Sequence, residues 1–278
     1  MQEIAPNVFI DNNSLGLVTG VIRTDAGSVL VDSPSRHDDA RSWRSGTAKL
    51  VMGDPKFLIS LDTNYDRILS AKGTECVIIS QANAITASRG KSTAAKFLDE
   101  SQSETETHEQ QSSNLFRWIP PEIVFEDSLS LHLGNIQIEL EHHSGSNIAG
   151  VWVNLPQQKI VFIGDAVLVN QPPFLAYANL AVWQQDLELL ASREYKGFQI
   201  ISSRSGVVST DQVRDMRRLI DSIANLMEPL ITGSADLDAY HQLIPKIMKQ
   251  INGELDAEDL NINRLRWGLT TWFEQHQK

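Results

Sequence analysis

Cysteine is almost missing from this sequence. Cys76 is the only one in 278 residues, which excludes an internal disulfide, and its place in the apolar run 75–79 reads as a buried, unreactive thiol. Basic clusters are missing too. The 24 Lys and Arg stand against 35 Asp and Glu, for a net charge of −11, and nothing resembles the cationic stripe that follows a phosphate backbone. This argues against nucleic acid and against an anionic membrane as partners, and leaves the acidity to serve solubility. No apolar stretch reaches the ~20 residues that a membrane span requires. The opening residues MQEIAPNVFI contain neither the basic segment nor the apolar segment of a secretory leader, so the expectation is a cytoplasmic chain. Apolar side chains make up 41% of the composition, ample for a sizeable core in one large or two small domains. One stretch has no apolar residue at all: 99–113, DESQSETETHEQQSS. It cannot offset its ordering entropy by burial and reads as a solvated loop or helix end.

Three short apolar runs each open abruptly into polar residues. Residues 57–67, FLISLDTNYDR, end in Asp62, Asn64, Asp66 and Arg67; residues 158–167, QKIVFIGDAV, run into Gly164 and Asp165; residues 198–206, FQIISSRSG, run into Arg204. A buried strand that ends in a polar cluster delivers side chains to the mouth of a sheet, where α/β proteins keep their chemistry. Around these runs the order of elements is regular. Residues 8–10, 16–23 and 28–32 read as an antiparallel meander, 38–51 as a helix, 57 onward and 76–79 as strands, and 86–98 as weakly helical. Residues 123–125, 129–133, 136–141 and 150–155 read as a second meander with a hairpin at Gly134-Asn135, followed by strand 160–163. Leu180, Trp183, Leu187 and Leu190 mark an amphipathic helix before strand 199–201. Ser209 with Gln212 forms a capping box ahead of the stripe Val213, Met216, Ile220, Ile223 and Met227. Residues 237–251, kinked or restarted at Pro245, and 260–273 form a helical tail. Two half-sheets with helices outside them account for this order.

Five of these pieces, in order from Ile4 to about Leu230, resemble the metallo-β-lactamase superfamily. IAPNVFIDN and GVIRTDAGSVLVDS are similar to its opening strands, ending at Asp32; FLISLDTNYDRILSAKG is similar to the strand and loop of its HxHxDH motif. ELEHHSGSNIAGVWVNLPQQKIVFIGDAV resembles its glycine-histidine loop, next strand and GD motif, and IISSRSG resembles the stretch of its last histidine. The resemblance implies an α/β fold, a four-layer αββα sandwich with a C-terminal helical extension: a superfamily domain over 1–230 and a helical extension over 231–278 packed on it. It also implies a site along one edge of the sheets that, in the family, usually holds two zinc ions.

Carried over position by position, that site has lost its histidines. Asp62 and Asn64 stand where the first two belong, Asp66 is kept, Arg67 replaces the third, Ser146 replaces the loop histidine, Asp165 is kept as the bridging carboxylate, and Arg204 stands for the last histidine. A guanidinium cannot lose its proton and has no lone pair, so Arg67 and Arg204 bring fixed positive charge to the place of a dication. At ~4 Å from a carboxylate each gains about 4 kcal/mol at an effective dielectric near 20. The expectation is therefore salt bridges from Arg67 and Arg204 to Asp66 and Asp165 in place of a metal centre, with no cofactor.

Read alone, Asp165 could equally be a turn cap, and Asp62 and Asn64 ordinary loop residues. His142 and His143 precede the ligand position on a strand with alternating faces, so one packs and the other is solvated. Residues 171–175, QPPFL, follow the GD strand and overhang the site mouth or act as a rigid connector. Three functions compete. The first is a pseudo-enzyme on this fold, serving as a binding or regulatory module. The second is a hydrolase holding a hard divalent cation on Asp62, Asn64, Asp66 and Asp165. The third is an anion-binding protein with Arg67 and Arg204 as clamp. A small anionic ligand and a second copy of the chain are the candidate partners.

Overall fold

The computed structural model describes residues 1–14, 16–34, 37–50, 55–64, 76–89, 119–251 and 258–276. The segment 99–113, together with Tyr65, Asp66 and Arg67, lies outside the described residues. Contacts divide the chain into two compact units, Met1–Gln137 and Ile138–Lys278.

The first unit is built on a seven-stranded sheet whose strands follow chain order: β1 Gln2–Ala5, β2 Val8–Ser14, β3 Leu17–Thr24, β4 Gly27–Val31, β5 Phe57–Ile59, β6 Val77–Gln81 and β7 Ile123–Phe125. β1 to β4 are antiparallel, joined by tight turns, while β4 to β7 are parallel. The change has a covalent cause, because parallel neighbours need a long crossover. Helix α1, His37–Ala48, occupies the crossover from β4 to β5, and α2, Asn83–Arg89, begins the one from β6 to β7. Trp43 of α1 packs with Phe9, Val21, Leu30, Leu58 and Ile78, and Cys76 is buried among them. Sequence periodicity had assigned Ile123–Phe125 to the second meander; instead it pairs with β6 as a parallel edge strand of the first sheet. A three-residue run carries too little pattern to declare its partner.

The second sheet runs β13-β12-β11-β10-β9-β8, with β8 Ser128–Leu133, β9 Ile136–His142, β10 Val151–Leu155, β11 Ile160–Phe162, β12 Gln199–Ser202 and β13 Gly206–Val208. β9, β10 and β11 are antiparallel neighbours, whereas β11 and β12 are parallel. Helix α3, Leu180–Leu190, lies in that crossover, and α4, Thr210–Thr232, follows β13. Ser209 and Gln212 satisfy each other's backbone amides at the start of α4, and Val213, Met216, Ile220, Ile223 and Met227 are its buried stripe. Pro245 restarts the tail: α5, Leu237–His241, ends before it and α6, Ile244–Met248, takes it into its first turn. Helix α7, Glu258–His276, closes the chain. Tyr240, Ile244, Ile247, Leu265, Leu269 and Trp272 of the tail share one apolar cluster with Trp152, Val161, Trp183, Leu187 and the α4 stripe. Among the described residues no helix is long and apolar enough to cross a membrane.

Because the Ser209 hydroxyl accepts from the Gln212 amide at a helix start that water would otherwise have to satisfy, Ser209→Ala is expected to lower the unfolding free energy by about 1 kcal/mol. Urea denaturation checks this, with the slope unchanged and the midpoint reduced.

Candidate functional site

In the first unit, the loop after β5 is fixed by carboxylates facing backbone amides. Asp32, at the end of β4, holds a positive φ of 54°. Its amide donates to the Ile59 carbonyl and its Oδ1 accepts from the Leu61 amide at 2.9 Å. The strand-end aspartate is thus the brace of the neighbouring parallel strand. Asp62, buried, accepts from the Asn64 amide at 2.7 Å and from the Asn64 side-chain nitrogen at 3.2 Å. Both of its oxygens therefore face Asn64. The side chains proposed as ligands here also set the loop's own turn.

In the second unit, β11 and β12 run parallel, so their ends lie side by side. One end leads into Gly164-Asp165 and the other into Ser203-Arg204. The Ser203 amide donates to the Gly164 carbonyl at 2.9 Å. The Ser202 hydroxyl donates to the Val167 carbonyl at 2.6 Å and itself accepts from the amides of Arg204 and Ser205. Register and a single serine thus set Arg204 opposite Asp165. Arg204 Nε donates to Asp165 Oδ2 at 3.0 Å, with side-chain exposures of 6% and 2%.

The Arg204 guanidinium carbon also lies 4.6 Å from the centroid of Phe174, in the QPPFL stretch, and the Arg264 carbon lies 4.2 Å from the same ring. The two cations are thus within about 9 Å of each other. Arg264, on α7, also donates to Gln171 Oε1 at 3.2 Å. One turn later Gly268 admits the loop, since a Cβ there would press on Leu175 at 3.3 Å. Arg264 was not among the candidate residues that the sequence had marked. The arginine-glycine pair at i and i+4 on the tail helix was its only signal.

Ser146 is buried in the turn between β9 and β10. Gly145, beside it, has no room for a side chain, because a Cβ would run into the backbone of Trp183 on α3. The Gly145 amide donates to Asp186 Oδ2 at 3.1 Å, and the Asn179 amide donates to the Gly145 carbonyl at 2.9 Å. The other Asp186 oxygen lies 2.8 Å from His143 Nδ1. His143 stacks on Trp152 at 3.6 Å between ring centroids, and its Nε2 lies 3.6 Å from Glu141 Oε2. His142 Nε2 lies 3.0 Å from the Ile148 carbonyl. Burial by itself would lower the pKa of His143, but the hydrogen bond to Asp186 and the nearby Glu141 carboxylate, with their charges, outweigh it and hold the imidazole above its ordinary value.

Removing one partner of a buried ion pair strands the other. Arg204→Leu is therefore expected to cost about 3 kcal/mol of unfolding free energy, and adding Asp165→Leu should recover most of that loss. A double-mutant cycle by chemical denaturation checks the coupling; simple additivity would refute it.

The residues at the positions that the resemblance assigns to zinc do not fit that metal. None of the described ones is a histidine, and of the two kept carboxylates the described one, Asp165, has an arginine donating to it. Among the described residues no three His, Cys, Asp or Glu side chains converge as a ligand group. No family model matches the sequence, and no curated protein matches it. Solved structures do match. A metallo-β-lactamase from Pontibacter korlensis superposes with a TM-score of 0.60 at 16% identity, over 79% of this chain and 97% of that one. A β-lactamase domain protein from Burkholderia ambifaria gives 0.68 at 14%, over 99% and 87%. The stereoselective inverting sec-alkylsulfatase from a Pseudomonas species gives 0.69 at 13%, over 99% of this chain, which spans 50% of that protein's length. Two mixed sheets flanked by helices in this order, matched along nearly the whole chain, are the fold of the metallo-β-lactamase superfamily, carried here with a C-terminal helix.

Proposed function

We propose that this protein is a pseudo-enzyme on the metallo-β-lactamase fold, a binding or regulatory module in which an arginine-carboxylate pair stands where relatives place metal. The observation that carries the reading is the buried contact of 3.0 Å between Arg204 and Asp165. Asp165 is the carboxylate that the resemblance assigns to bridge two cations. A permanent guanidinium neutralises it without exchange and without acidifying any water, so the hydrolytic apparatus has no source of nucleophile. A hard dication in the same place would meet that fixed positive charge, which disfavours the hydrolase alternative.

A small anion is the ligand chemistry that the surroundings favour. Arg204 and Arg264 converge on Phe174, and each guanidinium carries five donors in a planar fork suited to carboxylate or phosphate. Arg264 stands in this reading where the sequence had offered Arg67, which lies outside the described residues.

Elemental analysis of the purified, dialysed protein is expected to find only substoichiometric zinc, manganese and iron; near-stoichiometric metal that survives dialysis would overturn the pseudo-enzyme reading. Thermal-shift titration with phosphate and with citrate, against chloride at matched ionic strength, tests the anion. The melting temperature should climb with concentration, reaching about 2.7 kcal/mol of stabilisation at a hundredfold excess over Kd, and Arg264→Leu should abolish the climb. A flat response with both anions would remove the ligand while leaving the metal result standing.

A further inference from the structure

We propose that His143 is a proton-operated latch on the 143–147 turn: as imidazolium it holds the turn that presents Ser146 against α3, and as neutral imidazole it lets that turn loosen. The Asp186 carboxylate joins the parts, since Oδ1 lies 2.8 Å from His143 Nδ1 and Oδ2 accepts from the Gly145 amide at 3.1 Å. Asp186 is thus one anchor of the turn on α3, beside the Asn179 amide that donates to the Gly145 carbonyl. The ionisable groups facing the ring are Asp186 from α3 and Glu141 from its own strand. Trp152 of β10 covers one face, and Tyr195 meets Trp152 edge-on at 5.8 Å.

Charge state decides what this arrangement can do. The imidazolium donates from both nitrogens, one toward each carboxylate, and a charge-assisted bond is roughly twice as strong as a neutral one. In the neutral ring, Nδ1 can still donate to Asp186, but Nε2 then turns a lone pair toward Glu141 Oε2 at 3.6 Å. Glu141 keeps its partner in Asn154, whose side-chain nitrogen donates to the same oxygen at 2.8 Å, so the carboxylate stays in place and faces an acceptor. Gly145 adds no side chain to resist, and the turn can part from Trp183 once Asp186 is held less firmly. This device does not depend on what replaces metal at Asp165, because none of its groups is Asp165 or Arg204.

The sign follows from the raised pKa. Protonation of His143 favours the closed turn, so its contribution is complete below pH 6.5, the ordinary imidazole value, and is lost as pH rises through the higher value in the folded protein. Amide hydrogen exchange of the full-length protein, read at Gly145 and corrected for the intrinsic pH dependence, is expected to show protection falling about tenfold across that rise for each unit by which the pKa is displaced. His143→Gln should flatten the profile. Equal corrected protection at both ends of the range, in wild type and variant alike, would overturn the latch. If His143→Gln does not fold, NMR titration of the wild-type imidazole decides alone: a midpoint above 6.5 accompanied by Gly145 and Ser146 amide shifts supports it, and a midpoint at or below 6.5 refutes it.

Discussion

A carboxylate as buried as Asp165 needs hydrogen-bond donors or positive charge beside it, and the second unit supplies a guanidinium, placed there by its local architecture. Parallel pairing of β11 with β12 brings two strand ends together, and Ser202 ties them by its hydroxyl. Arg204 then lies across Asp165 with nearly all of both side chains out of water. Such a pair contributes little net stability, because desolvation offsets attraction, but each member is costly to leave alone. The two positions are therefore coupled: a change at either disturbs the other.

Around this pair, aromatic and cationic groups from later in the chain complete the surroundings. Phe174 meets guanidinium groups from Arg204 and Arg264, so the tail helix contributes charge as well as apolar packing. The 171–175 stretch, which the sequence left open between overhang and connector, is the place where tail and strand end meet. Under the proposed function this gives the tail a direct part in ligand recognition.

Several buried carboxylates hold backbone in place. Asp32 braces the Leu61 amide, Asp62 turns toward Asn64, and Asp186 clamps Gly145. Asp186 is instructive because it falls three residues after Trp183 and four before Leu190, on the buried stripe of its amphipathic helix, while the helical period says nothing of what would satisfy a carboxylate there. Only the close approach of a glycine turn reveals why it is buried. His143 likewise resolved toward packing, as one of the two adjacent histidines was expected to do, but its carboxylate neighbours come from strand and helix alike.

The α/β order, the opening meander, the capping box of α4 and its buried stripe were legible from the chain, because periodicity and capping are local properties that neighbours in sequence impose on one another. The fixed positive charge at position 204 was legible for the same reason, since side-chain type fixes charge. Strand partners were not: Ile123–Phe125 found the first sheet, and β13, three residues long, went unannounced, because pairing is chosen by distant chain and not by the run itself. Nor could the sequence declare that Arg264 would reach Phe174 or that Asp186 would bridge His143 to Gly145. Those contacts join residues up to ninety or so positions apart, and they exist only after the crossover helices have packed. Chemical character was written residue by residue, while proximity had to wait for the fold.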